Sequence, residues 1–151
     1  VDVARSRALI LTKRDLPPRL YAVPFTGGAD ESLEAKLLGP LTSLTRPARQ
    51  DVELAPKTRD WWWQPVGMDI SQDGRAAVIL TYRAIYYFER AADEDWYGAL
   101  NGEPFTVSLG NFENAEAVAF GDHARTVIVT GENTRSRILR VDLNGASQHA
   151  P

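Results

Sequence analysis

One stretch of this sequence recurs about fifty residues later, and this recurrence constrains the fold more than any other feature. Residues 68–81 (MDISQDGRAAVILT) align with residues 118–130 (VAFGDHARTVIVT). The step is 50 from Met68 to Val118 but 49 from Thr81 to Thr130, which predicts one deleted residue in the turn or second strand of the later copy. Short apolar runs joined by tight turns at such a period indicate a repeat architecture.

A third, earlier copy opens the chain. Residues 1–4 (VDVA), a short basic turn and residues 8–12 (ALILT) repeat the pattern. This alignment places Asp2 at the position of Asp69, and a residue repeated in this way indicates an architectural hydrogen bond, for instance to an amide of the neighbouring unit. It also starts the chain within a strand, so we expect a leader, a tag or half of a larger protein to have been removed upstream.

The repeat divides residues 1–151 into one domain of three units. We predict a first unit at about 1–44, an insertion loop at 45–60, a second unit at about 61–110, an incomplete third unit at about 111–143 and a polar tail at 144–151. Apolar, β-branched and aromatic runs between turn residues predict the strands. These strands are 8–12, 19–25, 34–44, 66–71, 76–82, 84–89, 103–109, 116–120, 126–131 and 137–143, with a helical turn within 91–100.

Four short antiparallel strands per repeat are typical of a propeller blade. We therefore predict an all-β fold, a partial β-propeller of about three four-stranded antiparallel blades. Propellers have four to eight blades, and open sheet edges invite pairing. The chain is then either a fragment of a larger propeller or half of a six-bladed ring, which two copies would complete as a homodimer about a twofold axis.

Two segments carry a resemblance to known families. Residues 69–75 (DISQDGR) resemble the strand–S-P-D-G-(K/R)–strand signature of bacterial β-propellers of the Tol-type and WD-like repeat families, with Gln72 in place of the usual proline. Residues 116–120 (EAVAF) and 127–133 (VIVTGEN) resemble the pattern E-G-(L/I)-A … L-Y-V-(L/V)-S-E of the esterase-like phytase and SdiA-regulated propellers, with Ala117 in place of glycine. The first resemblance implies a blade without a stated activity. The second implies metal-assisted hydrolysis, and families of this kind imply a periplasmic or secreted location.

Bulk properties exclude several classes of function. The net charge is -3, with a pI near 5.4, so the chain lacks the basic surface that nucleic acids or anionic lipids attract. No apolar run approaches the roughly 20 residues that span a bilayer. There is no cysteine, which excludes disulfides, thiol catalysis and thiolate metal sites.

Glu116 and Glu132 are the candidate metal ligands. The innermost strand of a blade lines the channel of a propeller, where a carboxylate can bind a hard cation such as calcium or polarise a water. The alternative is that Glu116 pairs with an arginine or with backbone amides at a blade junction. Val66 occupies the equivalent position in the second unit, so the repeat itself does not require a carboxylate there.

Trp61, Trp62 and Trp63 form the candidate binding surface. Neighbouring residues of a strand face opposite sides, so at most two of the three indoles can share one core. An exposed indole suits stacking on a sugar ring or on a partner protein. The alternative is packing between the first and second blades.

No motif of a catalytic site is present. The sequence contains no GxSxG, HExxH, GxxxxGK(S/T) or GxGxxG, and its two histidines, His123 and His149, lie in a turn and in the tail. We therefore predict an interaction module that binds a protein or a small ligand. Two alternatives stay open: a metal-assisted phosphoester or ester hydrolase, and a structural half-propeller that assembles with another copy or a missing half.

Overall fold

The computed structural model describes residues 1–25, 32–44, 63–110, 112, 114–121, 124–132 and 135–143. The predicted insertion loop at 45–60 and the predicted tail at 144–151 lie outside these residues. Within them the chain forms ten strands, a single helical turn α1 (Trp96–Ala99) and a 3-10 turn at Val3–Arg5. The strands are β1 (Arg7–Leu11), β2 (Arg19–Pro24), β3 (Lys36–Pro40), β4 (Pro65–Ile70), β5 (Ala76–Thr81), β6 (Ala84–Glu89), β7 (Phe105–Ser108), β8 (Ala115–Phe120), β9 (Thr126–Gly131) and β10 (Ile138–Asp142).

The strands form three antiparallel sheets, one for each unit of the repeat. Sheet A has the order β1-β2-β3, sheet B the order β4-β5-β6-β7, and sheet C the order β10-β9-β8. The predicted all-β organisation is confirmed. Sheet B has the predicted four strands, whereas sheets A and C each have three in the part of the chain that the structure describes.

Sheet B lies between the other two sheets. Alternate residues of a strand point to opposite faces, and both faces of sheet B are covered. Strand β5 is accordingly buried at all six positions, which explains its continuous apolar sequence AAVILT. One core joins Leu9, Leu20 and Ala22 of sheet A to Ala77, Ile79, Tyr86 and Phe88 of sheet B, and the other joins Val78, Leu80, Ile85 and Tyr87 of sheet B to Val127 and Val129 of sheet C.

The repeat between sheets B and C is continuous in register. Pro65 pairs with Thr81 as Ala115 pairs with Gly131, and the same bulge follows in both sheets. The step therefore stays at 50 through both strands, and the predicted one-residue deletion is wrong. The run VIVT can be matched to VILT in two ways that differ by one residue, but a slip of one residue turns every side chain to the other face. With a step of 50, Val127 and Val129 correspond to Ala77 and Ile79. Both pairs pack against the preceding sheet: Ala77 and Ile79 against sheet A, and Val127 and Val129 against sheet B.

The first unit differs from its prediction at the start. Residues 1–4 form no strand; Asp2 makes an isolated bridge to Arg7. The amide of Asp2 donates to the carbonyl of Arg7 at 3.0 Å, as Ser71 donates to Ala76 at 2.8 Å. Asp2 is thus the counterpart of Ser71, and its predicted match to Asp69 is wrong. The similarity of residues 1–3 (VDV) to residues 68–70 (MDI) suggested that match. The turn from Asp2 to Arg7 has the same length as the turn from Ser71 to Ala76, and this length sets the correct alignment.

Charged contacts tie sheet A to the segment between β6 and β7. The carboxylate of Asp95 accepts hydrogen bonds from Arg5 at 2.6 Å and from Arg7 at 2.9 Å, and its other oxygen caps α1 by accepting from the amide of Tyr97. Burial opposes the charge, but that amide and the two guanidinium groups hold the pKa of Asp95 below its usual value.

No helix among the described residues is long and apolar enough to cross a bilayer.

Candidate functional site

Glu116 lies at the bulge of β8, where the register skips from Ala115 to Ala117. As predicted, Val66 occupies the equivalent bulge of β4. The carboxylate of Glu116 accepts a hydrogen bond from the hydroxyl of Tyr82 at 2.9 Å, and its second oxygen lies 3.7 Å from Nζ of Lys13. Glu116 is thus partnered by side chains from both other units.

Lys13 and Tyr82 hold equivalent positions, each directly after the threonine that ends a repeat of the motif. Nζ of Lys13 donates to the Tyr82 hydroxyl at 2.9 Å and lies 5.1 Å from the centre of its ring. The Tyr82 hydroxyl and the Glu116 carboxylate raise the pKa of the Lys13 ammonium group, which stays protonated. This arrangement matches the junction alternative for Glu116, with lysine and tyrosine in place of the expected arginine.

Glu132 is exposed and follows β9 directly. Its backbone amide donates to the carbonyl of Asn114 at 3.0 Å. Among the residues that the structure describes, no group of three or more histidine, aspartate or glutamate side chains is placed to hold a metal ion. Metal binding by Glu116 and Glu132 stays a prediction.

One of the three consecutive tryptophans falls within the described residues. Trp61 and Trp62 lie outside the described residues. Trp63, just before β4, is 8 % exposed. Its indole is therefore buried. The binding surface predicted for this run remains a prediction for the other two indoles.

The turn between β4 and β5 is held by its own side chains. The hydroxyl of Ser71 donates to the carboxylate of Asp73 at 2.6 Å and accepts from the amide of Ala76 at 2.9 Å. The same carboxylate oxygen accepts from the amide of Arg75 at 3.0 Å. Gly74 adopts a positive φ of 67°, which glycine reaches without steric cost. The polar residues of this motif are thus used to build the turn.

Asp69 bonds across two sheets. Its carboxylate accepts from the amide of Phe120 on β8 at 2.8 Å. The predicted architectural bond to a neighbouring unit is therefore present at Asp69. Asp2 instead accepts from the guanidinium of Arg7 at 2.8 Å and is 2 % exposed.

Two clefts open on either side of the β4–β5 turn. The larger, about 520 Å³, lies between this turn and the β8–β9 turn and is lined by Asp69, Ile70, Gln72, Asp73, Phe120 and Ala124, among others. The other, about 440 Å³, lies between the same turn and the first residues of the chain. Gln72 lines both clefts and is exposed. Sequence reasoning missed these clefts, although the equal spacing of the turns in the repeat was a signal that the turns share one edge.

Comparison with known proteins does not assign the chain to a family. No protein-family model matches the chain, and no curated protein matches it significantly. The functional argument therefore starts from the sheets, the clefts and the partners of each charged side chain.

Proposed function

We propose that this chain is a segment of a β-propeller that acts as a non-catalytic binding module. The observation that carries the proposal is the position of sheet B, which is buried on one face by sheet A and on the other by sheet C. The sheets follow one another in chain order, as the blades of a propeller do. The constant step of 50 between sheets B and C supports the same arrangement.

The close approach of the first strands of two sheets also supports it. Gly67 of β4 lies against Val118 of β8, so close that a Cβ at Gly67 would stand 3.2 Å from the Val118 side chain. The bond from Phe120 to Asp69 joins the same two strands. In a propeller, the first strands of successive blades converge around the axis in this manner.

We assign binding to the edge of the sheets that carries the β4–β5 and β8–β9 turns, which we call the turn edge. Both clefts open there, and Gln72 stands between them with its side chain exposed. Concave surfaces that combine apolar walls with a few polar groups are the usual form of ligand sites. Ile70 and Phe120 supply apolar walls, and Asp69 and Gln72 the polar groups.

The hydrolase alternative gains no support from the described residues. Its best candidate, Glu116, is bonded to Tyr82 and faces the ammonium group of Lys13. A neighbouring cation competes directly with a metal ion for the same carboxylate. Hydrolysis by a metal site at Glu116 would need further ligands besides Glu116, Tyr82 and Lys13.

The test combines binding and turnover in one preparation. A library of small-molecule fragments and short peptides is screened by two-dimensional NMR, and the same protein is assayed with ester and phosphoester substrates with and without calcium. We expect shifts for residues at the turn edge and no turnover above background. Gln72→Trp, which places a bulky ring where the two clefts meet, should weaken binding, whereas the exposed control Glu103→Trp, away from the clefts, should preserve it. Turnover that Glu116→Gln removes would overturn the proposal, as would a library without any binder at this edge.

A further inference from the structure

A third cleft, which the proposed function does not use, opens where the core between sheets B and C reaches the surface. It measures about 380 Å³ and shares Asp73 and Ala124 with the larger cleft at Gln72. The β4–β5 turn and strand β6 line it on the side of sheet B, and the residues directly before β9 line it on the side of sheet C. We call it the arginine cleft, because Arg75, Arg90 and Arg125 all line it.

Two of these arginines face each other from equivalent positions of neighbouring sheets. Arg75 directly precedes β5 and Arg125 directly precedes β9, in agreement with the step of 50. Both residues are exposed. Within the described part of the chain, neither side chain forms a hydrogen bond or an ion pair. Their guanidinium groups therefore keep all their donors available for a ligand.

The third arginine is held in place by its neighbours. Nε of Arg90 donates to the carbonyl of Gly74 at 2.9 Å, and Nη1 donates to the carbonyl of Glu94 at 3.0 Å. The guanidinium also lies 4.9 Å from the centre of the ring of Trp96, which is fully buried. A cation over an indole face is attracted by the ring. These contacts fix the position of one positive charge at the cleft.

The hydroxyl of Tyr87 is a buried donor in the same cleft. Tyr87 is 8 % exposed and packs in the core between sheets B and C. Its hydroxyl donates to the carboxylate of Glu89 at 3.3 Å, whereas such bonds usually measure about 2.7–2.8 Å. Burial, followed by the charge of Glu89, raises the pKa of Tyr87 to about 12, so the hydroxyl stays protonated. A ligand oxygen can accept a shorter hydrogen bond from it than Glu89 does.

The charges around the cleft favour a singly charged anion. Besides the three arginines, the described lining carries two carboxylates, Asp73 and Glu89, which leaves a net charge of +1. A monoanion compensates this excess, whereas the two carboxylates would repel a dianion more strongly. The planar fork of a guanidinium group matches the two oxygens of a carboxylate.

We propose that the arginine cleft binds a carboxylate group, with the guanidinium groups of Arg75 and Arg125 and the hydroxyl of Tyr87 as its donors. The source of the carboxylate is the side chain of an acidic peptide or a small organic acid, because both present the same group. The site goes beyond the proposed function, which assigns binding to the clefts at Gln72. It is built from residues of sheets B and C alone and does not depend on how many further sheets a propeller would have.

The test is a titration at low ionic strength, where charged contacts are least screened, followed by two-dimensional NMR. The probe is a short peptide with a central glutamate, acetylated and amidated so that this side chain is its only charge. The control peptide carries glutamine instead. Acetate presents the carboxylate without a peptide, and a peptide with phosphoserine in place of glutamate presents a dianion. We expect saturable shifts at Ala76, Tyr87 and Arg125 with the glutamate peptide and none with the glutamine peptide.

Substitutions in the cleft identify the donors. Arg75→Gln and Arg125→Gln should each raise the dissociation constant of the glutamate peptide at least roughly threefold, because each removes charge-assisted bonds that solvent partly screens. Tyr87→Phe keeps the ring in the core and should have an effect of similar size. Arg14→Gln is the matched control and should change nothing, since Arg14 is exposed in the turn after β1 and outside the described lining of all three clefts. Thermal melting verifies the fold of each variant.

Several results would overturn the site. They are the absence of saturable shifts at the cleft, equal binding of the glutamine peptide, and an equal loss of affinity in Arg14→Gln, which would indicate unspecific attraction. Tighter binding of the phosphoserine peptide than of the glutamate peptide would overturn the choice of a carboxylate. Acetate that binds as tightly as the glutamate peptide supports the site and identifies small organic acids as the source.

The outcome is separable from that of the proposed function. Gln72 is outside the described lining of the arginine cleft, so Gln72→Trp should leave the affinity for the glutamate peptide unchanged. A library without a binder at the clefts beside Gln72, together with intact binding of the glutamate peptide, would count against the proposed function alone. Binding at Gln72 without any response to the glutamate peptide would overturn the arginine cleft alone.

Discussion

The carboxylate of Asp69 on β4 accepts a hydrogen bond from the backbone amide of Phe120 on β8, with 2.8 Å between oxygen and nitrogen. Strand β8 is an edge of sheet C, paired only with β9 among the described strands. The amide of an edge strand needs a partner from elsewhere when it is partly withdrawn from water. Asp69 supplies that partner and thereby joins sheets B and C at the turn edge.

We predict that Asp69→Ala lowers the free energy of unfolding by about 1–2 kcal/mol, because the Phe120 amide loses its acceptor. Asp69→Asn is the matched control, since its side-chain carbonyl can still accept, and it should lose less. Urea unfolding of the three proteins measures the difference. Equal stability of Asp69→Ala and wild type would show that water replaces the carboxylate without cost.

Gly67 is predicted to be intolerant of a larger residue. A Cβ there would stand 3.2 Å from Cγ1 and 3.3 Å from the amide nitrogen of Val118. Gly67→Val should therefore destabilise the chain by about 1–3 kcal/mol, as overpacking does in well-packed cores. Ala117→Val, at the equivalent but exposed position of β8, is the control and should change the free energy of unfolding by less than about 0.5 kcal/mol. Thermal unfolding at low protein concentration makes the comparison.

The turn at residues 71–76 is predicted to make stability depend on pH. The Ser71 hydroxyl, and then the amide of Arg75, hold the pKa of Asp73 below its usual value of 3.8. A carboxyl whose pKa is lower in the folded state stabilises the fold above its unfolded pKa, and this contribution is lost as the pH falls through the folded pKa. The stability difference between wild type and Asp73→Asn should therefore be largest above about pH 5 and shrink toward pH 3 and below.

Urea unfolding at a series of pH values measures that difference. Ser71→Ala is the companion variant, because it removes the hydroxyl that contributes most to the lowered pKa of Asp73. The free energy of unfolding of Ser71→Ala should therefore change less between pH 6 and pH 3 than the free energy of unfolding of the wild type does. A difference between wild type and Asp73→Asn that is constant over this range would contradict the role of the charged carboxylate.

Calcium is predicted to leave the melting temperature unchanged. Glu116 is bonded to Tyr82 and lies beside Lys13, so a calcium ion would have to displace a cation and a hydroxyl for one carboxylate. A ligand that binds the folded state must raise its stability. Differential scanning fluorimetry with millimolar calcium, and with magnesium as the control, provides the measurement. A calcium-specific increase that Glu116→Gln abolishes would restore the metal-site hypothesis.

The strands were largely predictable from the sequence, whereas their register was not. Alternating and continuous apolar runs between turn residues located β4, β5, β6 and β9 to within about a residue, as local patterns do when both chemistry and spacing agree. The step between β5 and β9 was missed by one residue. A run of similar β-branched residues aligns equally well in two registers, and only the sheet that packs against it distinguishes them.

The contacts between units were beyond the reach of sequence patterns. Lys13, Tyr82 and Glu116 are separated by 69 and 34 residues, and no local spacing brings them together. The bond from Phe120 to Asp69 was anticipated in kind, because repetition of an aspartate suggested an architectural role. The repetition itself was misread, since Asp2 corresponds to Ser71.

By itself, the sequence determined that the chain consists of short antiparallel strands in three successive units, because turn chemistry and apolar period are local properties. The tertiary structure decided which face of each strand is buried, which carboxylates are already bonded, and which apolar rows stay open. Ile10 and Ile79 illustrate the division: both lie in similar strands, but Ile79 is buried against sheet A, whereas Ile10 is exposed on the opposite face of sheet A. Burial depends on what packs from outside the strand, and that information is distributed over the whole fold.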